Sequence, residues 1–349
     1  MLKSARSFLF LSVSILFVLS GCIAPQVKLG YKNEKTDRIY KNVIVMVPDG
    51  CSMSIQTFAR LFKGSDINLD KLNVGSVRTF AANSIITDSA AAATAFASGH
   101  KTTTGFLGVG PQKEGLLPIY QPDSMPYYPL PTILEGAKHN GKSTGLVVTC
   151  VIDHATPGGF SAHVPSRIMS DDIIEQIVYQ DIDVVLGGGG SNLLPAGAEY
   201  KSSGGGIWRG RRKDSENLIN ILQKRGYSFI SSRDELEKLG DEKVWGIFNE
   251  GNLVPDIDRD ELNPSQPSLA EMTEKAIKVL SKNEKGFFLM VEGSQVDYAG
   301  HANDPVFMVT EFLAFDKAVG IAVDYAKKDP DTLVVIFPDH DTGGLSIGN

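Results

Sequence analysis

Acids and imidazoles recur in this chain just after short apolar runs. Asp49 follows the run 42–47, and Asp153, His154 and Thr156 follow 145–149. Glu292 and Asp297 follow 287–291, and Asp339 and His340 follow 332–337. Carboxylates that converge without cations repel one another and rise in pKa, whereas divalent metals neutralise them and accept imidazoles as well. The pattern asks for more than one ion. Asp297 and His301 are four apart, so on a helix they share a face, as two ligands of one ion must. An isolated pair of this kind is more often a surface hydrogen bond. Four such groups in register with strand ends form a stronger pattern.

A possible nucleophile lies elsewhere. Thr87-Asp88-Ser89 leads into four alanines, Ala90 to Ala93. Ala is the best helix former and Ser or Asp caps well, so Ser89 is expected at or beside a helix N-terminus. There the free N–H groups and the helix dipole favour a phosphate, or a serine alkoxide over the neutral hydroxyl. Alone, the same stretch reads as a plain cap before a buried helix.

Positioning these residues requires a scaffold. The runs 42–47, 145–149, 183–186, 287–291 and 332–337 are short, β-branched-rich and apolar on both faces, as strands of a covered parallel sheet are. Helices fit between them. The clearest, over 269–281, opens with the capping box Ser268 to Glu271 and carries an apolar stripe through Leu269, Met272, Ala276, Val279 and Leu280. The expected fold is a doubly wound α/β domain, its mostly parallel sheet covered by helices on both faces. Ligands of such sheets bind beyond the carboxyl ends of the strands. The Pro-rich stretch 111–131 and the polar stretch 241–266 read as surface excursions.

The 349 residues are 42% hydrophobic and 21% charged, an ordinary globular composition. A formal net charge of −7, with no Lys/Arg-rich stripe, argues against nucleic acid as a partner. Lys3 and Arg6 precede an apolar run, which Leu19-Ser20-Gly21-Cys22 closes with small residues. This resembles a bacterial lipoprotein signal. It implies a leader over 1–21, lipid on Cys22 anchoring the chain to a membrane, a polar tether over 22–38 and a catalytic domain over 39–349 in the cell envelope. A simple secretory peptide or an uncleaved anchor is the alternative, and each of these exports the chain. Cys51 and Cys150 then remain, expected as buried free thiols rather than a disulfide framework.

Taken together, Asp49-Gly50, Thr87-Asp88-Ser89-Ala90-Ala91, His154-Ala155-Thr156-Pro157, Ala162-His163-Val164-Pro165-Ser166-Arg167, Glu292 to His301 and Asp339-His340 resemble the alkaline phosphatase family in order and spacing. The resemblance covers residue 42 to the end. It implies that Ser89 becomes phosphorylated and that Arg167 clamps the phosphate oxygens. Asp49, Asp339 and His340 would hold one zinc, and Asp297 and His301 a second. Thr156, Glu292 and Asp49 would hold magnesium, with His154 beside it where some members have an acid. Small phosphate esters would be the substrates and a homodimer a possible assembly. One departure stands out. The family's second zinc takes another histidine from a segment beyond the Asp-His pair, which also supplies the last strands, and this chain ends at Asn349. That implies a C-terminally truncated chain, an under-liganded second zinc and a bare sheet edge.

Other motifs fall away. Gly187 to Gly190 leads to no Gly-Lys-Ser/Thr and reads as a tight turn after a strand. Asp256, Asp258 and Asp260 begin like a calcium loop, but Glu261 replaces the turn glycine and Pro267 the closing acid, leaving a solvated loop. Ser89 lacks the glycines of a Gly-x-Ser-x-Gly elbow. His100, His139 and His163 read as structural or surface residues. The leading reading is a phosphomonoesterase. A diesterase or sulfatase of the same chemistry, or a silent metal- and phosphate-binding lipoprotein, are the alternatives.

Overall fold

The computed structural model describes residues 39–120 and 126–348. The expected leader, Cys22 and the tether 22–38 lie outside the described residues, as does part of the 111–131 excursion. The strands in chain order are β1 (Asn42–Pro48), β2 (Ser143–Val151), β3 (Val184–Gly188), β4 (Glu199–Lys201), β5 (Ile207–Arg209), β6 (Ser228–Ile230), β7 (Val244–Ile247), β8 (Phe287–Gly293) and β9 (Thr332–Ile336). Seven form one sheet in the order β6-β7-β3-β2-β8-β1-β9, every neighbouring pair parallel. The remaining pair, β4 and β5, makes a small antiparallel hairpin.

Alternation along the strands divides the core. Ile44 and Met46 of β1 pack with Leu289 and Val291 of β8 and with the helices Met53–Lys63, Leu269–Leu280 and Pro305–Lys328. Val45 and Val47 face the other way with Phe288 and Met290, against the helices Ser89–Ser98, Ala155–Ser161 and Ser170–Tyr179. A central strand buried on both faces cannot tolerate alternating polar residues, which is why these runs are continuously apolar. Each fully buried Val, Ile, Leu, Met or Phe contributes about 1.5–3 kcal/mol of transfer free energy. The expected α/β architecture is observed, and Ser268 and Glu271 close the capping box that starts Leu269–Leu280.

The reading of 241–266 as a polar excursion is corrected. Within it β7 is wholly buried and pairs with both β3 and β6. The strand is four residues long and flanked by Asp241, Glu242 and Lys243, so its apolar signal is too short to stand out. Trp245 nevertheless fills the layer between sheet and helices, and Gly246 admits the side chains of Leu186 and Phe248. The loop after it contains one helical turn, Arg259–Leu262, with Arg259 paired to Asp256 and Asp260. Gly189 makes the expected tight turn after β3, with a positive φ of 104°.

Candidate active site

The loops carrying the acids and imidazoles leave the carboxyl ends of β2, β8, β1 and β9, four strands that are neighbours in that order. Strand order thus gathers residues nearly 300 positions apart in sequence into one row. Asp49 and Glu292 are fully buried, Asp339 is 1% exposed and Asp297 5%. His340 Nε2 stands 3.3 Å from Asp339 Oδ2, 3.6 Å from Asp49 Oδ1 and 3.1 Å from Ser89 Oγ. Two donors on one tetrahedral ion at about 2.0 Å sit roughly 3.3 Å apart, so this set has a spacing that suits a cation.

Hydrogen bonding points the same way. Both Asp49 carboxylate oxygens, Glu292 Oε1 and Asp339 Oδ2 are buried without a hydrogen-bond partner. Burial, together with the charges of Asp339, Glu292 and Asp297, pushes the Asp49 carboxyl well above the usual range. Burial pushes Glu292 up to about 7, despite hydrogen-bonding neighbours that favour its charged form. Buried carboxylates without donors are costly unless they are protonated or bound to cations. These residues fit divalent metal.

Ser89 is the first residue of the helix Ser89–Ser98 and is 4% exposed. Its neighbour Asp88 is the cap, accepting from Ala91 N at 3.0 Å through Oδ1. The other oxygen of Asp88 accepts from Gly105 N at 3.0 Å and from Arg167 Nη1 at 3.2 Å. Asp88 therefore ties the helix start to Arg167, a role the sequence reading missed although the residue adjoins the serine. Arg167 Nη2 lies 3.2 Å from His154 Nε2. Burial and the Arg167 charge bring His154 down to about 3, so its ring is neutral and free to accept or to bind metal.

Thr156 lies in the short helix Ala155–Ser161, its buried Oγ1 on the Glu292 side and without a well-formed hydrogen bond. Asp153 turns away, accepting from Ser170 and Asn192, and is not brought into the cluster. Asp297 and His301 share a face of the helix Gln295–Ala302, as expected, with Nε2 3.5 Å from Asp297 Oδ2. The His301 side chain is 73% exposed. Among the described residues Asp49, Asp339 and His340 form a three-donor group, as do Cys150, His154 and Glu292, while Asp297 and His301 stand as a pair.

Thr342 had no sequence signal, and Gly50 only its place beside Asp49. Thr342 donates to Asp297 Oδ1 at 2.6 Å and lies 3.2 Å from His340 Nδ1, so one hydroxyl touches both histidine-bearing groups. Gly50, at φ 66°, lies so close to Asp297 that a Cβ would stand 2.8 Å from its Cα. Only glycine allows that approach. The remaining histidines behave as read: His163 is held by Glu135 and the Gly108 carbonyl, and His100 and His139 lie at the surface. Cys51 and Cys150 are buried and free.

The sequence and the fold have relatives among known proteins. A family model described as alkaline phosphatase matches residues 40–349. The chain is 38% identical over 352 residues to alkaline phosphatase 3 of Bacillus subtilis (strain 168), covering 97% of this chain and 68% of that one. The solved alkaline phosphatase of the Antarctic bacterium TAB5 superposes with a TM-score of 0.74 at 30% identity, covering 88% of this chain and 81% of the other. A histidine-to-aspartate variant of that TAB5 protein, solved with magnesium in its M3 site, gives a TM-score of 0.73 at 29% identity, covering 88% and 80%.

Proposed function

From the premise that the chain belongs to the alkaline phosphatase family of phosphoric monoester hydrolases, we propose that it cleaves phosphate monoesters through a phosphoserine at Ser89. The observation that carries this reading is the convergence of the buried Asp49 and Asp339, three of whose four carboxylate oxygens lack a hydrogen-bond donor, with His340, whose Nε2 lies 3.1 Å from Ser89 Oγ. Asp49, Asp339 and His340 would hold one zinc and Asp297 and His301 a second. Thr156, Glu292 and Asp49 would hold a third cation, magnesium by the family resemblance. Bound there, such ions lower hydroxyl and water pKa values and neutralise phosphoryl charge.

The residues of the chain account for the rest. The Ser89 hydroxyl gives its proton to solvent, its oxygen attacks phosphorus, the ester P–O bond breaks, and the leaving alkoxide takes a proton from solvent and departs as the alcohol. Water then cleaves the phosphoserine, returning Ser89 and inorganic phosphate. The dipole at the start of Ser89–Ser98 favours negative charge on the serine oxygen and on the phosphate. Arg167, steadied by Asp88, offers its planar fork to non-bridging oxygens. Phosphoryl transfer depends mainly on such positioning and charge neutralisation.

Labelled phosphate trapped at acid pH on Ser89, and absent in Ser89→Ala, is the expected result, alongside turnover of p-nitrophenyl phosphate. Phosphate binding without any phosphoserine would instead mark a silent binding protein. Much faster turnover of the bis-ester would mark a diesterase. We further propose export and lipid anchoring through Cys22, supported by the leader sequence; palmitate labelling that persists in Cys22→Ser would refute it.

A further inference from the structure

We infer that Cys150 is a ligand at the third cation position, and that this position takes zinc or cobalt in preference to magnesium. The inference rests on the metal-dependent reading above and amends it at one ion. The family resemblance brings oxygen donors to this position, from Asp49, Thr156 and Glu292, and sets His154 beside it. The structure adds Cys150. Ligand atoms of Cys150, His154 and Glu292 lie within 4.8 Å of one another. Tetrahedral donors at bonds of about 2.0–2.3 Å sit roughly 3.3–3.8 Å apart, so a small closure of these side chains brings all three onto one ion.

Three backbone positions bring them together. Cys150 lies near the end of β2, Glu292 lies in β8 and pairs in register with Val148, and His154 caps the helix that follows β2. The Cys150 thiol turns to Glu292 Oε2 at 3.5 Å, which leaves Glu292 Oε1 without a partner. His154 Nδ1 is also buried and partnerless. A thiol, an imidazole with a partnerless nitrogen and a carboxylate with a partnerless oxygen thus lie within reach of one ion.

Ligand chemistry then selects the ion. Magnesium demands near-octahedral oxygen ligation and keeps several waters, whereas thiolate and imidazole donors suit zinc and its borderline neighbours. On ligation the S–H bond breaks, the sulfur lone pair goes to the ion and the proton leaves to solvent. With an ion on Nδ1, the ring proton of His154 sits on Nε2, which then no longer accepts from Arg167. The guanidinium is left to Asp88 and the substrate.

Cobalt-loaded full-length protein tests this by its absorption spectrum. A thiolate-to-cobalt charge-transfer band is expected that persists under excess magnesium. It should also persist in a Cys22→Ser, Cys51→Ser background, where Cys150 is the chain's one thiol, and vanish on adding Cys150→Ser. Magnesium should compete at least about tenfold better in Cys150→Ser. The double variant keeps the test decisive if Cys150→Ser does not fold. Cobalt bound at the other acids, with turnover but no sulfur band, sinks this inference and leaves the hydrolase reading standing. No cobalt bound at all sinks both.

Discussion

Two buried acids differ in what the chain gives them. Asp316, on the long helix Pro305–Lys328, is 2% exposed and accepts from Asn68 N, Leu69 N and Asn68 Nδ2. Asp49, at the end of β1, is fully buried and accepts from nothing. Between them stands Glu311, five residues before Asp316 on the same helix, which accepts from Asp256 N at 2.6 Å. Burial, with Asp256 and Asp258 nearby, pushes its carboxyl up to about 7. Donors accompany a structural acid and are missing where cations would take their place, so hydrogen-bond satisfaction separates the two kinds of site where burial alone does not.

The sharpest test exchanges the roles. Asp49→Asn is expected to lose at least about a hundredfold in metal affinity and turnover, while the metal-free protein melts no lower than the parent, since a repelling buried charge has gone. Asp316→Ala should do the reverse, costing on the order of 3 kcal/mol in denaturant titration with kcat per folded molecule retained. If both variants lose stability alike, the contrast collapses.

A smaller effect is expected at Glu311. Its folded pKa of about 7 lies above the ordinary glutamate value of 4.5, so the native state holds a proton that the unfolded chain has released. The stability it contributes is full below about 4.5 and is lost as pH rises to about 7, amounting to on the order of 3 kcal/mol at most. Glu311→Gln should flatten that part of the stability-versus-pH curve and leave the variant more stable than the parent at pH 8. An unchanged curve would show that Glu311 is not the group responsible. The smallest effect belongs to Thr342→Val, which removes the hydroxyl donor to Asp297. About 1 kcal/mol of stability and a several-fold loss of metal affinity at the Asp297 and His301 pair are expected by calorimetry.

Much of this site was legible in the sequence because parallel sheets concentrate function at strand ends. Continuous apolar runs located β1, β2, β3, β8 and β9, and the acids and histidines followed them directly. Helical spacing placed Asp297 and His301 on one face. The short strand β7 stayed hidden, since four residues between polar flanks carry too little period to register. Thr342, Asp88 as the partner of Arg167 and Cys150 beside Glu292 were hidden for another reason. Their roles come from strand order and register, which bring together residues that sequence distance keeps apart.

Gly50 gives the site a property that no single ligand has. Its N–H donates to Asp339 Oδ1 at 3.0 Å, its carbonyl accepts from Thr342 N at 3.2 Å, and its Cα abuts Asp297. One residue thus touches the ligands of both expected zinc positions. Filling one pocket is then expected to tighten the wall of the other, so that the two ions bind as a cooperative pair rather than as independent guests.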